Sequence, residues 1–270
     1  VMEPLELKNV YDQEQVAPEL VYAQIEKDLN EAMPDLPVVI PATENGRVSQ
    51  GAAKAYLGKV ILYQMNTARM SEAAGLFNEV NKADNIYRYY LLENYADVFK
   101  KANKFNHESI LEIPHSDLSR ATGLDYLYTE GNLWTAFIGP AYMVNMGDYA
   151  SGFGGVPVEL ALADAMKTDP RFTASIADFN MIVILSGFTS FYLPGADNTG
   201  YFPEKWIGRV SDQTVPGLGV IFNFPYDYIE MRLADTYLME AEALLRAGQG
   251  GGAGTRAYEL LNAVRARVGL

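Results

Sequence analysis

The chain has 270 residues, with Lys+Arg 21 against Asp+Glu 34 and a formal net charge of −13 at pH 7. That surplus repels phosphate backbones and excludes a general nucleic-acid binder. Hydrophobic content of 49% excludes wholesale disorder, and zero cysteines exclude disulfides, thiolate metal sites and a cysteine nucleophile.

Pro18 stands where a first-turn proline belongs, and Val21, Ile25, Leu29 and Met33 recur every four residues until Pro34 and Pro37 end the helix. Ser49 predicts the N-cap of a second helix with Ala53, Tyr56, Leu57, Val60 and Tyr63 on its stripe. A third is expected over 71–83, with Ala74, Phe77 and Val80 on one face. A tyrosine-rich stretch (Tyr87, Tyr89, Tyr90, Tyr95) leads to a short strand, Ser109–Ile113, closed by Pro114. Residues 106–225 are rich in Gly, Pro and aromatics without a steady period. Their best apolar run, Met181–Leu185, ends at Ser186-Gly187 and reads as a buried strand or loop core. It falls far short of the ~18 residues of a membrane helix.

In the last zone Ile229, Leu233, Tyr237, Ala241 and Leu244 define one helix stripe, and Tyr258, Leu261, Val264 and Val268 the next. A glycine-rich loop, Gly248 to Gly254, joins them. Small residues at the crossing (Ala241, Ala243, Ala257) make this a tetratricopeptide-like hairpin, and Pro18 to Gln64 is a looser one. Such hairpins bury their apolar faces by stacking on neighbours. The expected fold class is therefore mostly α: 1–105 and 226–270 form a helical scaffold, and 106–225 is a loop-rich region laid over it. The start at Val1, with neither a basic leader nor an apolar stretch, predicts a processed or partial chain, truncated at both ends of a single domain.

Chemical motifs are sparse. Gly248-x-Gly250-x-x-Ala253 fits a dinucleotide fingerprint in letters, but a helix precedes it where a strand is required, so it reads as an interhelix loop. His107 and His115 have no partner at helical spacing, which argues for hydrogen-bonding roles over zinc or catalysis. Asp197-Asn198-Thr199-Gly200 offers oxygen ligands to calcium, yet Asx-Gly sequences are above all turns. No cofactor or metal is expected.

The aromatics are more informative. Trp134 and Trp206 both fall in the loop-rich region, with Tyr126, Tyr128, Tyr142, Tyr149, Phe153, Phe191, Tyr192 and Tyr201. Flat rings stack on the apolar faces of sugars or on peptide side chains, while neighbouring Asn and Asp read polar groups. Large aromatics also dominate cores, which is the competing reading for each of them.

The C-terminal zone resembles the SusD/RagB family. Arg232, Ala234, Asp235, Leu238, Ala241, Glu242 and Ala243 follow its first helix pattern, and Leu261, Asn262, Val264, Arg265 and Arg267 its second. The segments Arg47–Tyr63, Tyr95–Phe99 with Glu108–Ile113, and Asp169–Phe172 look like further family elements. Arg232 and Asp235 can pair along a helix face, and of Glu240 and Glu242 only one is expected to be buried, against a base such as Arg265.

The resemblance implies capture without catalysis: an oligosaccharide held at the surface and passed to a SusC-like, TonB-dependent barrel transporter that the binding protein caps as a lid. It also implies the extracellular face of an outer membrane, reached through a lipid anchor outside this chain. The candidate ligand residues are Trp134, Tyr149, Phe153 and Tyr192, with Asn132 and Asp148 as polar neighbours; Trp206 is set aside as structural. Peptide capture, a helical glycoside hydrolase or lyase, and a protein-binding tetratricopeptide scaffold are the alternatives.

Overall fold

The computed structural model describes residues 14–118, 130–195, 197–213 and 222–270. Helix α1 (Pro18–Ala32) starts at its proline and turns Leu29, with Met33 just beyond, onto the core, while Val21 and Ile25 stay exposed. Ser49 caps α2 (Gln50–Tyr63), its Oγ accepting from the Ala52 N–H at 3.1 Å. That helix is buried more widely than one stripe, through Ala52, Ala53, Ala55, Leu57, Gly58, Ile61 and Leu62, because α1, α3 (Met70–Asn81) and α8 (Leu233–Arg246) all pack on it. Tyr63, expected on the stripe, is instead exposed. Gly58 lets α3 approach closely: a Cβ there would lie 3.0 Å from the Phe77 ring.

Chain-distant helices share one core. Leu57, Ile61, Met70 and Phe77 from the first half pack with Ala241, Ala243 and Leu244 of α8 and with Ala257 and Leu260 of α9 (Arg256–Ala266). Two helix assignments shift. Ile229 belongs to strand β6 (Tyr228–Arg232), which pairs antiparallel with β1 (Ser109–Ile113). The helix starts only at Leu233, because Asp235 accepts the Arg232 N–H at 3.0 Å and its guanidinium at 2.9 Å, a capping box that fixes the boundary. In α9 the buried residues are Ala257, Leu260 and Val264, while Tyr258 and Leu261 are exposed, since the small Ala257 sets the side that meets α8.

Buried charges tie the scaffold. Glu240, 1% exposed, accepts from Arg256 at 3.1 Å and from Asn78 and Asn81 at 3.1 and 2.7 Å, so its basic partner is Arg256 and not Arg265. Glu242 pairs with Arg246 at the surface. Glu108, wholly buried, joins Arg267 of the chain's end to β1 and takes the Leu92 N–H.

The remaining elements are short: α4 (Trp134–Ile138), α5 (Leu160–Met166), α6 (Phe172–Ser175) and α7 (Phe179–Ser186). Strand β2 (Ala141–Val144) pairs with β4 (Phe191–Leu193), and β3 (Ile176–Asp178) with β5 (Tyr201–Pro203), both antiparallel. They enclose a second core of Ile138, Met146, Phe179, Phe202 and Ile207. The run Met181–Leu185 is neither strand nor buried. Asp178 caps it as part of α7 and Gly187, at φ +101°, ends it; Ile182 and Val183 turn inward, while Met181, Ile184 and Leu185 face out. Among the described residues no helix is long and apolar enough to cross a membrane.

Candidate functional site

A groove of about 580 Å³ opens where the β1–β6 pair meets α4. Ile113 from the end of β1 and Tyr228 from the start of β6 form one wall, with His115; Trp134, Thr135 and Ile138 of α4 form another, and Trp206 completes it. The local sequence holds these walls. Asn132 donates its N–H to the Phe224 carbonyl at 2.7 Å and its Nδ2 to the Tyr226 carbonyl at 2.8 Å, while its Oδ1 accepts the Trp134 N–H at 2.9 Å. Gly131 packs so tightly on Asn223 that a side chain would not fit. Asp227 accepts the His115 N–H at 2.8 Å and pairs with Lys104 at 2.6 Å, pinning the His115 segment.

The lining is ring-rich and nearly uncharged. Trp134 is 66% exposed and Tyr228 and Ile113 are also open to solvent. Such exposure of a tryptophan on a monomer surface is a feature of binding sites more than of packing. Thr135 is buried behind this wall, and its Oγ1 has no hydrogen-bond partner among the described residues. Away from the groove, the aromatic surface continues: Trp134 meets Phe137 edge-on at 6.3 Å between ring centres, Phe137 meets Phe153 at 5.5 Å, and Phe153 meets Phe222 at 5.5 Å.

Of the six residues expected from sequence, Trp134 and Asn132 line the groove and Phe153 extends the ring row from it. Asn132 does so as a brace, its amide oxygen and nitrogen both engaged by main chain. Asp148, Tyr149 and Tyr192 are not brought into the groove. Asp148 takes the Ser211 N–H at 2.8 Å and hydroxyl at 2.6 Å, bonds that hold its carboxyl below the usual range. Tyr149 lies under the Arg209 guanidinium, 3.7 Å from ring centre to carbon, and donates to Glu204; burial raises its hydroxyl. Tyr192 packs edge-on against Phe179 and Phe202. Trp206 has both roles, packing on the second core and lining the groove. Tyr126 and Tyr128 lie outside the described residues.

His115 reaches the groove wall, with Nδ1 at 3.1 Å from the Ile113 carbonyl, and His107 stacks on Tyr90 at 4.5 Å with Nδ1 on the Arg88 carbonyl. Asn198 Oδ1 accepts from the Gly200 N–H and from Tyr192, a turn. Among the described residues no group of three or more His, Asp and Glu is placed to hold a metal ion.

Comparison with known proteins places this geometry in a wider setting. Residues 192–270 match the SusD family. A laminarin-binding SusD-like protein of known structure is 41% identical and superposes with a TM-score of 0.88 over 100% of this chain and 58% of its own. Surface glycan-binding protein A from Bacteroides thetaiotaomicron, in complex with laminarihexaose, shares the fold at a TM-score of 0.83 and 23% identity, over 95% of this chain and 56% of its own. SusD-like protein P25 of Formosa agariphila is 26% identical over 98% of this chain and 50% of its length. The chain thus spans about half the length of these relatives.

Proposed function

Because this chain is a SusD-like protein with its family segment at residues 192–270, we propose that it captures oligosaccharides of the laminarin kind and does not cleave them. The observation that carries the reading is the groove itself: two tryptophans distant in sequence share one open, nearly uncharged cleft. Sugar rings present flat C–H faces that gain by leaving water against an indole, and their hydroxyls need partners at the edges. Trp134, Trp206 and Tyr228 supply the faces, and the His115 ring supplies a polar contact at the edge. Delivery to a SusC-like, TonB-dependent transporter that this protein caps, at the extracellular face of an outer membrane, follows from the family resemblance. The name of the 41% identical relative supports laminarin as the first ligand to test.

The test is calorimetry against laminarin, laminarihexaose and an oligopeptide panel, with product analysis in the same samples. Saturable glycan binding without product, weakened about tenfold or more in Trp134→Ala, is expected, since burying an aromatic face contributes roughly 1.5–3 kcal/mol. Steady product formation overturns the non-catalytic reading. Peptide binding with no glycan binding replaces the cargo.

A further inference from the structure

Apart from the tryptophan groove, with which it shares no lining residue, lies a second cleft of about 480 Å³, lined by Phe99, Lys101, Lys205, Arg209 and Tyr226 among others. Its chemistry opposes that of the molecule as a whole. The chain carries a net charge of −13, yet this cleft gathers cations. Two of them are neutralised locally: Lys100 by Asp97 at 2.6 Å and Arg209 by Glu204. Asp212, also on the wall, accepts the Tyr226 hydroxyl at 2.6 Å and keeps its charge, so four cations face two carboxylates around the cleft.

Lys205 is different. Its ammonium sits over three rings, 4.5 Å from the centre of Phe99, 5.2 Å from Tyr95 and 5.9 Å from Trp206, and it has no carboxylate partner among the described residues. Lys101 gives one N–H to the Asp212 main-chain carbonyl and also has no carboxylate among the described residues. An ammonium has three donors, so both lysines keep hydrogens to give. Ordering a lysine stem costs conformational entropy, and here the rings hold Lys205 in place beforehand. A preformed, unpaired cation at the side of a ring-lined cleft is a receptor for an anionic group.

We propose that this cleft is a second ligand site, taking a carboxylated or sulfated sugar residue, with Lys205 and Lys101 as the anion-binding groups and Phe99 as the stacking face. It is separate from the neutral-glycan groove: the two share no lining residue, and Trp206 belongs to the groove while its neighbour Lys205 belongs to this cleft.

The experiment measures binding of three probes by calorimetry: a glucuronate-containing oligosaccharide, a sulfated oligosaccharide, and oligo-glutamate. Lys205→Met keeps an apolar stem among the rings and removes the charge; Lys205→Arg keeps the charge; Trp134→Ala reports on the other groove. Thermal melts confirm that each variant folds. The expected result is saturable binding of one or both sugar probes that weakens as salt rises, falls at least tenfold in Lys205→Met, is retained in Lys205→Arg and is untouched by Trp134→Ala. Which sugar probe binds tells carboxylate from sulfate. No saturable binding of either, binding unchanged in Lys205→Met, or binding of oligo-glutamate alone overturns the proposal. Laminarin binding unchanged in Lys205→Met leaves the neutral-glycan reading standing in each of these cases.

Discussion

A residue's neighbours decide what it does, and the aromatics of the loop-rich region show this directly. Trp134 and Tyr192 are both large, both flanked by turn formers, yet one is 66% exposed and the other wedged against Phe179 and Phe202. Tyr192→Phe is therefore expected to leave glycan affinity within about twofold, while Trp134→Ala costs about tenfold or more, both read by titration with laminarihexaose. Glu112 is a second case. Burial, with the Asp227 charge beside it, pushes its carboxyl from an ordinary 4.5 up to about 7. Between those values the folded protein keeps a proton that the unfolded chain has released. Stability from this group is thus fully present below the ordinary carboxylate range and declines as pH rises towards 7, by at most about 1.4 kcal/mol per pH unit. Denaturant melts across pH 4 to 8 should show that slope flattened in Glu112→Gln, which can still accept the Phe105 N–H.

At the scale of elements, helix ends matter more than helix stripes. The strand β6 and the helix α8 are continuous in sequence, and apolar periodicity runs through their junction without a break. The junction is set by Asp235, which holds the Arg232 main chain extended so that β6 can pair with β1. Asp235→Ala is expected to destabilise by about 1 kcal/mol, seen as a lower denaturant midpoint, with Ser49→Ala doing the same at the start of α2. The groove depends on the Asp235 boundary, since Tyr228 reaches its wall only as a strand residue.

For the molecule as a whole, closure is a matter of a few buried charges across long sequence separations. Glu108, just before β1, meets Arg267 beyond α9, with Arg232 at 3.8 Å. Removing the carboxylate leaves Arg267 buried and without its partner, while Arg232 keeps Asp235, so Glu108→Gln is expected to cost about 3–5 kcal/mol by chemical denaturation, far more than loss of the surface pair Glu242–Arg246. The first-half and second-half helices share one core, so the loss should appear as a single transition.

Much of the helical scaffold was legible in the residues alone. Pro18, Ser49, the alanines at the α8–α9 crossing and the family pattern after Arg232 are local signals, carried by φ restriction, side-chain caps and 3.6-residue periodicity, and they needed no tertiary context. The C-terminal pattern also pointed to the SusD family. What the sequence could not reach was which apolar residues face inward and which rings come together. Met181–Leu185 carries the composition of a core yet turns half its side chains to solvent, because Asp178 and Gly187 make it one short helix with a single covered side. Trp206 reads as scaffold and is also groove wall, because it joins Trp134 only after β1 and β6 have paired and Asn132 has fastened α4 to the Phe224–Tyr226 segment. Local structure is encoded by near neighbours along the chain; a binding surface is made by contacts between residues far apart in it, and those exist only once the cores have formed.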